Sequence, residues 1–372
     1  MQMRKACYDV AQAPDAMRAR SARRFMPGDR LRVETAETEI DRMRKKHAWM
    51  SLATAVLGLV TAQSAATRAE TWTMLVPGRA DSLSAEPLVS LALKDLAGGP
   101  ALEVVTAPEF NATRQFKSRL RKGEASIAEI PLSVLARESA LYAADQIPYL
   151  ATTPAEAERL FQRLAAMVAE RLSEDDLVLL ALLPQPARGL MTNQAVTAAS
   201  GLGGQTMWAP TVALRRLAEH LGATSVAERP AAAVLFLTPA EALAQVPGTS
   251  AASLAGGSSG WTYHALGGWH EGHAVVVSAA SLKSLGPDAG QAFINHARNY
   301  ERAYWNAYDA GSKTSAVSLA AAGHKVVTGS AELAAELSKI GQRMADEWLP
   351  GAGADGAAWL EVVRASKPTA QP

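Results

Sequence analysis

Apolar and polar residues alternate from Thr71 through Val76 (TWTMLV) and stop at a Pro77-Gly78 turn, the period-two pattern of a β-strand. Ala85 to Leu96 (AEPLVSLALKDL) then places its apolar residues at helical spacing and ends at Gly98 and Gly99. Ala101 to Ala107 (ALEVVTA) returns to the strand pattern. A helix through Arg114 to Arg121 closes before Gly123, and ASIAEI from Ala125 is a short strand. Strand, helix, strand in this order is the opening of an α/β sheet with parallel pairing.

The strongest helix signal lies at Thr153 to Leu172. Thr153 stands at the N-cap, Pro154 at the first helical position and Glu156 at the third, which predicts a capping box. Leu160, Phe161, Leu164, Met167, Val168 and Leu172 fall on one face. A buried strand is expected over Asp176 to Pro184 (DLVLLALLP) and another in GGQTMWAP, Gly203 to Pro210. Helix Val212 to Leu221, strand Val234 to Leu237 and helix Pro239 to Gln245 follow, then a Gly/Ser-rich loop (GTSAASLAGGSSG) and the β-branched strand HAVVVSA. Phe293, Ala297, Tyr300, Tyr304 and Tyr308 recur every three or four residues in Pro287 to Ala310, a helix of roughly six turns. A last helix, Ala331 to Trp348, precedes a Gly/Pro-rich tail.

Composition leaves this picture standing: 48% hydrophobic and 20% charged residues suit a globular chain. The formal charge of +1 hides an asymmetry. Residues 1 to 46 hold 12 Lys/Arg against 7 Asp/Glu, whereas from Glu70 onward 24 basic residues face 29 acidic ones. A net charge of −5 on the body argues against a nucleic-acid partner. The one cysteine, Cys7, lies in the basic leader, so the body has no thiol for a disulfide, a thiolate nucleophile or a zinc site.

Arg44, Lys45 and Lys46 precede an apolar run from Ala48 to Ala62, with small residues after it. Fifteen residues are short for a membrane span and suit the apolar region of a secretory signal. A signal peptide is therefore expected over residues 43–69, with cleavage near Ala66 to Ala69, and residues 1–42 read as a disordered extension from an upstream start codon. The mature part, 70–372, is expected to be exported.

Four stretches carry a family resemblance: LRKGEASIAEI (Leu120 to Ile130), DQIPYLATTPAEAERLF (Asp145 to Phe161), PARGLMTN (Pro186 to Asn193) and GLGGQTMWAP (Gly201 to Pro210). Together they resemble the periplasmic solute-binding proteins of TRAP (tripartite ATP-independent periplasmic) transporters, the DctP-like family. The resemblance implies an α/β, two-lobed periplasmic binding protein fold with the lobes interleaved in sequence, a ligand cleft between them and a long lobe-spanning helix at Pro287 to Ala310. It also implies a periplasmic location for the exported part, a small organic acid as ligand, a membrane permease as partner, and neither catalysis nor a cofactor.

On that alignment Arg188, Thr192 and Asn193 match the family's strand exit, while Trp208 stands where the family places the arginine that grips a ligand carboxylate. Indole offers a flat apolar face and one N–H donor in place of a charge. Trp208 then either stacks on an apolar or aromatic ligand, holds a cation, or packs in the core. For Arg188 the alternative is a surface or lobe-bridging salt bridge, and for Thr192 and Asn193 it is turn capping. The run after Gln245, VPGTSAAS, puts Pro247 and Ser250 where the family carries acids, so specificity is expected to be atypical. The candidate ligand contacts are Arg188, Trp208, Asn193, Thr249 and His270.

WHEGH, Trp269 to His273, offers a second reading, an exported hydrolase or metal-binding protein built on His270, Glu271 and His273. The spacing is not that of the helical H-E-x-x-H zinc motif, and a loop pair of histidines beside the cleft is the preferred reading, without metal. Protein recovered from the periplasm is predicted to begin at residues 67–70 by N-terminal sequencing; a start before residue 43 would show that the basic leader is retained.

Overall fold

The computed structural model describes residues 70–365 apart from 79–83, 108–109, 229–232, 246–260 and 322–323; the expected extension and signal peptide lie outside the described residues. In chain order the strands are β1 Thr71–Val76, β2 Ala101–Thr106, β3 Ile127–Pro131, β4 Leu177–Pro184, β5 Gly189–Thr192, β6 Thr206–Trp208, β7 Thr224–Val226, β8 Val234–Leu237, β9 Thr262–Ala265, β10 Gly272–Ser278 and β11 Lys325–Thr328. They form two sheets, ordered β2-β1-β3-β10-β4 and β11-β9-β5-β8-β6-β7. These are the two lobes that the resemblance implies. The chain passes between them through residues 185–188, back through 266–271, and again along the helix Pro287–Ala321.

Two-sided burial explains why the first sheet was readable. All seven residues of β10 are buried. Val275 and Val277 join Trp72, Met74, Phe293 and Ala297 on one face, while Ala274 and Val276 join Phe161, Leu164 and Ile130 on the other. A strand with no solvent face has no polar alternation, hence the unbroken β-branched run. Phe293 meets Trp72 edge to face, with ring centroids 5.7 Å apart.

The long helix begins under this sheet at Phe293 and reaches Leu319, which is buried with Met191, Leu235, Leu237 and Tyr263 of the second lobe. It therefore spans both lobes, and it runs eleven residues beyond the expected end at Ala310. In the helix Pro154–Ser173, Thr153 Oγ1 accepts the Glu156 N–H at 3.2 Å, as the sequence predicts. The Glu156 carboxylate, however, returns to Thr152 N–H and Oγ1, both at 2.8 Å, one residue earlier than a standard box.

The C-terminal expectation needs correction. Helical structure continues from Ala331 to Ala365, with a break at Gly353 (φ 68°) and Pro350 inside. Trp359, Leu360 and Val363 supply a second buried apolar stripe, and Trp359 meets Trp348 at 5.6 Å, so packing overrides the Gly/Pro composition.

Tyr149 adopts φ 61° and donates its N–H to Gly268 O at 2.5 Å. A Cβ on Gly268 would stand 2.1 Å from Tyr149 Cδ1. The returning crossing segment thus depends on glycine to lie against a buried ring held in the left-handed region. Gly268→Ala is predicted to cost about 1–3 kcal/mol of stability, measured by denaturant unfolding; an unchanged midpoint would show that the ring moves aside freely.

Candidate functional site

The two short crossing segments lie side by side, because Gln185 N–H donates to Glu271 O at 2.8 Å and Arg188 N–H to Trp269 O at 2.9 Å. β5 starts immediately after Arg188, and β8 runs antiparallel to it, so Leu237 sits opposite Gly189. β6 runs parallel to β8. The carboxyl ends of β6 and β8 and the amino end of β5 therefore share one edge of the second sheet, the edge from which the chain crosses to the first lobe.

Arg188 is the centre of that edge. Its guanidinium is buried, with Nη1 donating to Glu241 Oε2 at 2.7 Å and to Phe236 O at 3.0 Å, and Nη2 donating to Glu271 Oε2 at 2.6 Å. The sequence allowed for a surface or lobe-bridging salt bridge at Arg188; the observed one is buried, with one carboxylate from the second lobe and one from the crossing segment. Glu241 is fixed independently: its Oε2 accepts the Thr238 N–H at 2.9 Å, and its own N–H donates to Thr238 Oγ1 at 3.2 Å, a capping box on the helix Pro239–Gln245. Arg188 thus bridges two carboxylates from different segments in a largely water-free place.

Trp208 ends β6 level with Leu235 and Met191, two residues short of the Leu237–Gly189 end, and is partly buried. Its ring packs against the cluster of Met191, Leu235, Leu237 and Tyr263, and Nε1 donates to Ala227 O at 3.2 Å. Core packing is thus part of its role, with the residue as a whole only partly buried. Asn193 is not brought to this edge. It is exposed at the opposite end of β5, five residues and about 16 Å along the strand from Arg188. Its neighbour Thr192 donates to Gln194 O at 2.5 Å and faces His264 Nε2 at 3.2 Å, the turn-capping alternative. Thr249 lies outside the described residues.

His270 faces the other way, into the first lobe. Its Nδ1 meets Tyr308 Oη at 2.5 Å, and its Nε2 has no hydrogen-bond partner among the described residues. It lines a cavity of about 10 Å³ with Asp145, Phe161, Leu160 and Gly268, room for about one water. Glu271 goes to Arg188, and His273 Nδ1 pairs at 2.6 Å with Glu129, a fully buried carboxylate that also accepts Ala85 N–H at 2.8 Å. The three side chains of the WHEGH motif therefore diverge to three separate partners. Among the described residues no three His, Cys, Asp or Glu side chains are grouped to hold a metal.

Four acidic residues here went unassigned from sequence. Glu241 carried a usable signal, Thr238 three residues ahead of it, but its pairing with Arg188, 53 residues away, had none. Glu271 was noted only as a metal-site member, while Glu129 and Asp145 fell inside family motifs without a chemistry of their own.

Burial, the largest effect on both groups, pushes the Asp145 carboxyl up to about 8 and holds His270 down to about 4. The Asp145 shift survives hydrogen bonds from Gly272 N–H and Gln146 Nε2. The two groups oppose each other in stability. Below pH 6.5 the unfolded chain protonates His270 while the folded one does not, so that contribution falls as pH drops toward 4. Asp145 stays protonated when folded, so its contribution falls as pH rises from about 4 to 8. The slopes cancel between pH 4 and 6.5, and only the Asp145 loss remains above. Stability is predicted to fall by about 2 kcal/mol between pH 6.5 and 8, and Asp145→Asn to abolish that fall in denaturant titrations at each pH; an equally steep fall in the variant would reassign it.

Neither a family model nor a curated protein sequence matches the chain. Solved structures do. DctP7 of Bordetella pertussis, an extracytoplasmic solute receptor binding pyroglutamic acid, is similar with a TM-score of 0.69 at 23% identity, over 80% of this chain and 100% of that one. A marine metagenome TRAP solute-binding protein specific for pyroglutamate gives 0.65 at 23% identity, over 80% and 99%. One from Chromohalobacter salexigens with bound D-glucuronate gives 0.63 at 13%, over 80% and 100%. At these identities the likeness speaks to architecture, and this chain has the two-lobed α/β fold of the TRAP periplasmic solute-binding proteins.

Proposed function

We propose that the protein is the periplasmic solute-binding component of a TRAP-type transporter, capturing a small organic acid between its lobes and delivering it, chemically unchanged, to a membrane permease. The observation that carries this reading is the architecture: two sheets linked by paired crossing segments and one helix rooted in both, superposing on the whole length of solved solute receptors. A hinge between lobes is the device by which such proteins enclose a ligand. The neighbours' ligands, pyroglutamate and D-glucuronate, set the scale of the solute.

The contacts we assign to the ligand are Arg188, at the crossing end of β5, and Trp208, at the end of β6, with Thr249 and His270 as further candidates and Asn193 at the far end of β5. Among the described residues no helix is long and apolar enough to cross a membrane. The separate engagement of His270, Glu271 and His273 gives the hydrolase or metal-binding alternative no specific support.

A native-state ligand at a hundred times its Kd stabilises by about 2.7 kcal/mol, so at least one small organic acid is predicted to raise the melting temperature by roughly 5–10 °C. Trp208→Ala should reduce that rise while leaving the ligand-free melting temperature within about 5 °C. Silence across a broad acid and amine screen, or consumption of the solute on incubation, would overturn the assignment.

A further inference from the structure

The returning crossing segment is fastened on both sides by alternate residues. The carbonyls of Trp269 and Glu271 accept N–H groups from the other crossing segment, at Arg188 and Gln185. Toward the first lobe, Gly268 O accepts the Tyr149 N–H at 2.5 Å, and Gly272 N–H donates to Asp145 Oδ2 at 2.8 Å. His270 stands midway between those two bonds, and its Nε2 has no partner among the described residues. We infer that a single buried water completes this place, bonded to His270 Nε2 and to the Asp145 carboxyl, and that it holds the middle of the crossing segment to the first lobe.

The space comes first. His270 and Asp145 line the same cavity of about 10 Å³, which admits about one water and nothing larger. Apolar cavities of this kind stay dry, whereas one with polar groups in its wall holds water that bonds to them.

The ring's own proton says what the water does. His270 Nδ1 lies 2.5 Å from Tyr308 Oη, and the ring is also hydrogen-bonded to the Gly267 carbonyl. With Nε2 unpartnered, that second bond falls to Nδ1 as well. A carbonyl only accepts, so Nδ1 carries the proton and Nε2 is a bare acceptor. The side chain is more than nine-tenths buried, and a buried acceptor is matched by a donor.

Asp145 is the other end of the bridge. Its Oδ1 accepts Gln146 Nε2 at 3.0 Å and its Oδ2 the Gly272 N–H, bonds that do not exhaust the two oxygens. Burial keeps the group protonated at neutral pH, so it also has a hydrogen to give. A water that accepts from Asp145 and donates to Nε2 satisfies both. A solute contact with His270 would require displacing it.

The test is nuclear magnetic resonance of the full chain in water. In the unmodified protein a long-range proton–nitrogen spectrum is expected to place the His270 proton on Nδ1, and the ring hydrogens are expected to show Overhauser contacts to a long-lived water. A proton on Nε2, or a ring without that contact, overturns the inference. Relaxation dispersion of the water oxygen, which counts internal waters, is expected to lose one in His270→Phe and one in Asp145→Leu, since each replacement fills the place without a polar atom. A count unchanged in either variant also overturns it. The spectra of the unmodified protein decide the matter even where neither variant folds.

Discussion

A guanidinium withdrawn from water and clasped by two carboxylates is the constraint around which the crossing region is arranged. Removing three charges from solvent is costly, and only near-ideal geometry with additional hydrogen bonds offsets it. The structure supplies both: Arg188 reaches Glu241, Glu271 and the Phe236 carbonyl at 2.6–3.0 Å, and Glu241 is held in turn by Thr238. Such a cluster joins the first turn of a helix, the end of β8 and both crossing segments through one side chain. Removing any partner leaves an uncompensated buried charge, so the segments keep a defined register.

The pairing also separates this protein from the arrangement its resemblance implies. Where a relative would present arginine to the ligand, the chain presents a tryptophan already engaged with a backbone carbonyl, and the arginine it retains is engaged with its own acids. Under the proposed function, affinity for a solute would then depend on shape more than on one strong ion pair.

Most of the architecture was legible because it follows from burial. TWTMLV and HAVVVSA announce strands, and the apolar face of Leu160, Phe161, Leu164, Val168 and Leu172 announces a helix, since each pattern reports which sides of an element meet water. The site was less legible. The neighbours of Arg188 come from 53 and 83 residues away, and no local pattern encodes such a meeting. Asn193 was placed by motif spacing, which does not reveal that a four-residue strand carries it to the far end of the sheet. Past Pro350 the Gly/Pro content suggested a tail, but Trp359, Leu360 and Val363 find a surface to bury against.

The helix from Pro287 to Ala321 has a mechanical consequence. One end is keyed beneath the first sheet by Phe293 and Ala297, and the other beneath the second by Leu319. A continuous rod socketed at both ends resists sliding and stretching, because either would uproot aromatic or aliphatic side chains from close-packed surroundings. Twisting about its axis and gentle flexure are the displacements it permits. Any rotation of one sheet against the other therefore has to be taken up by this strut as torsion or bending.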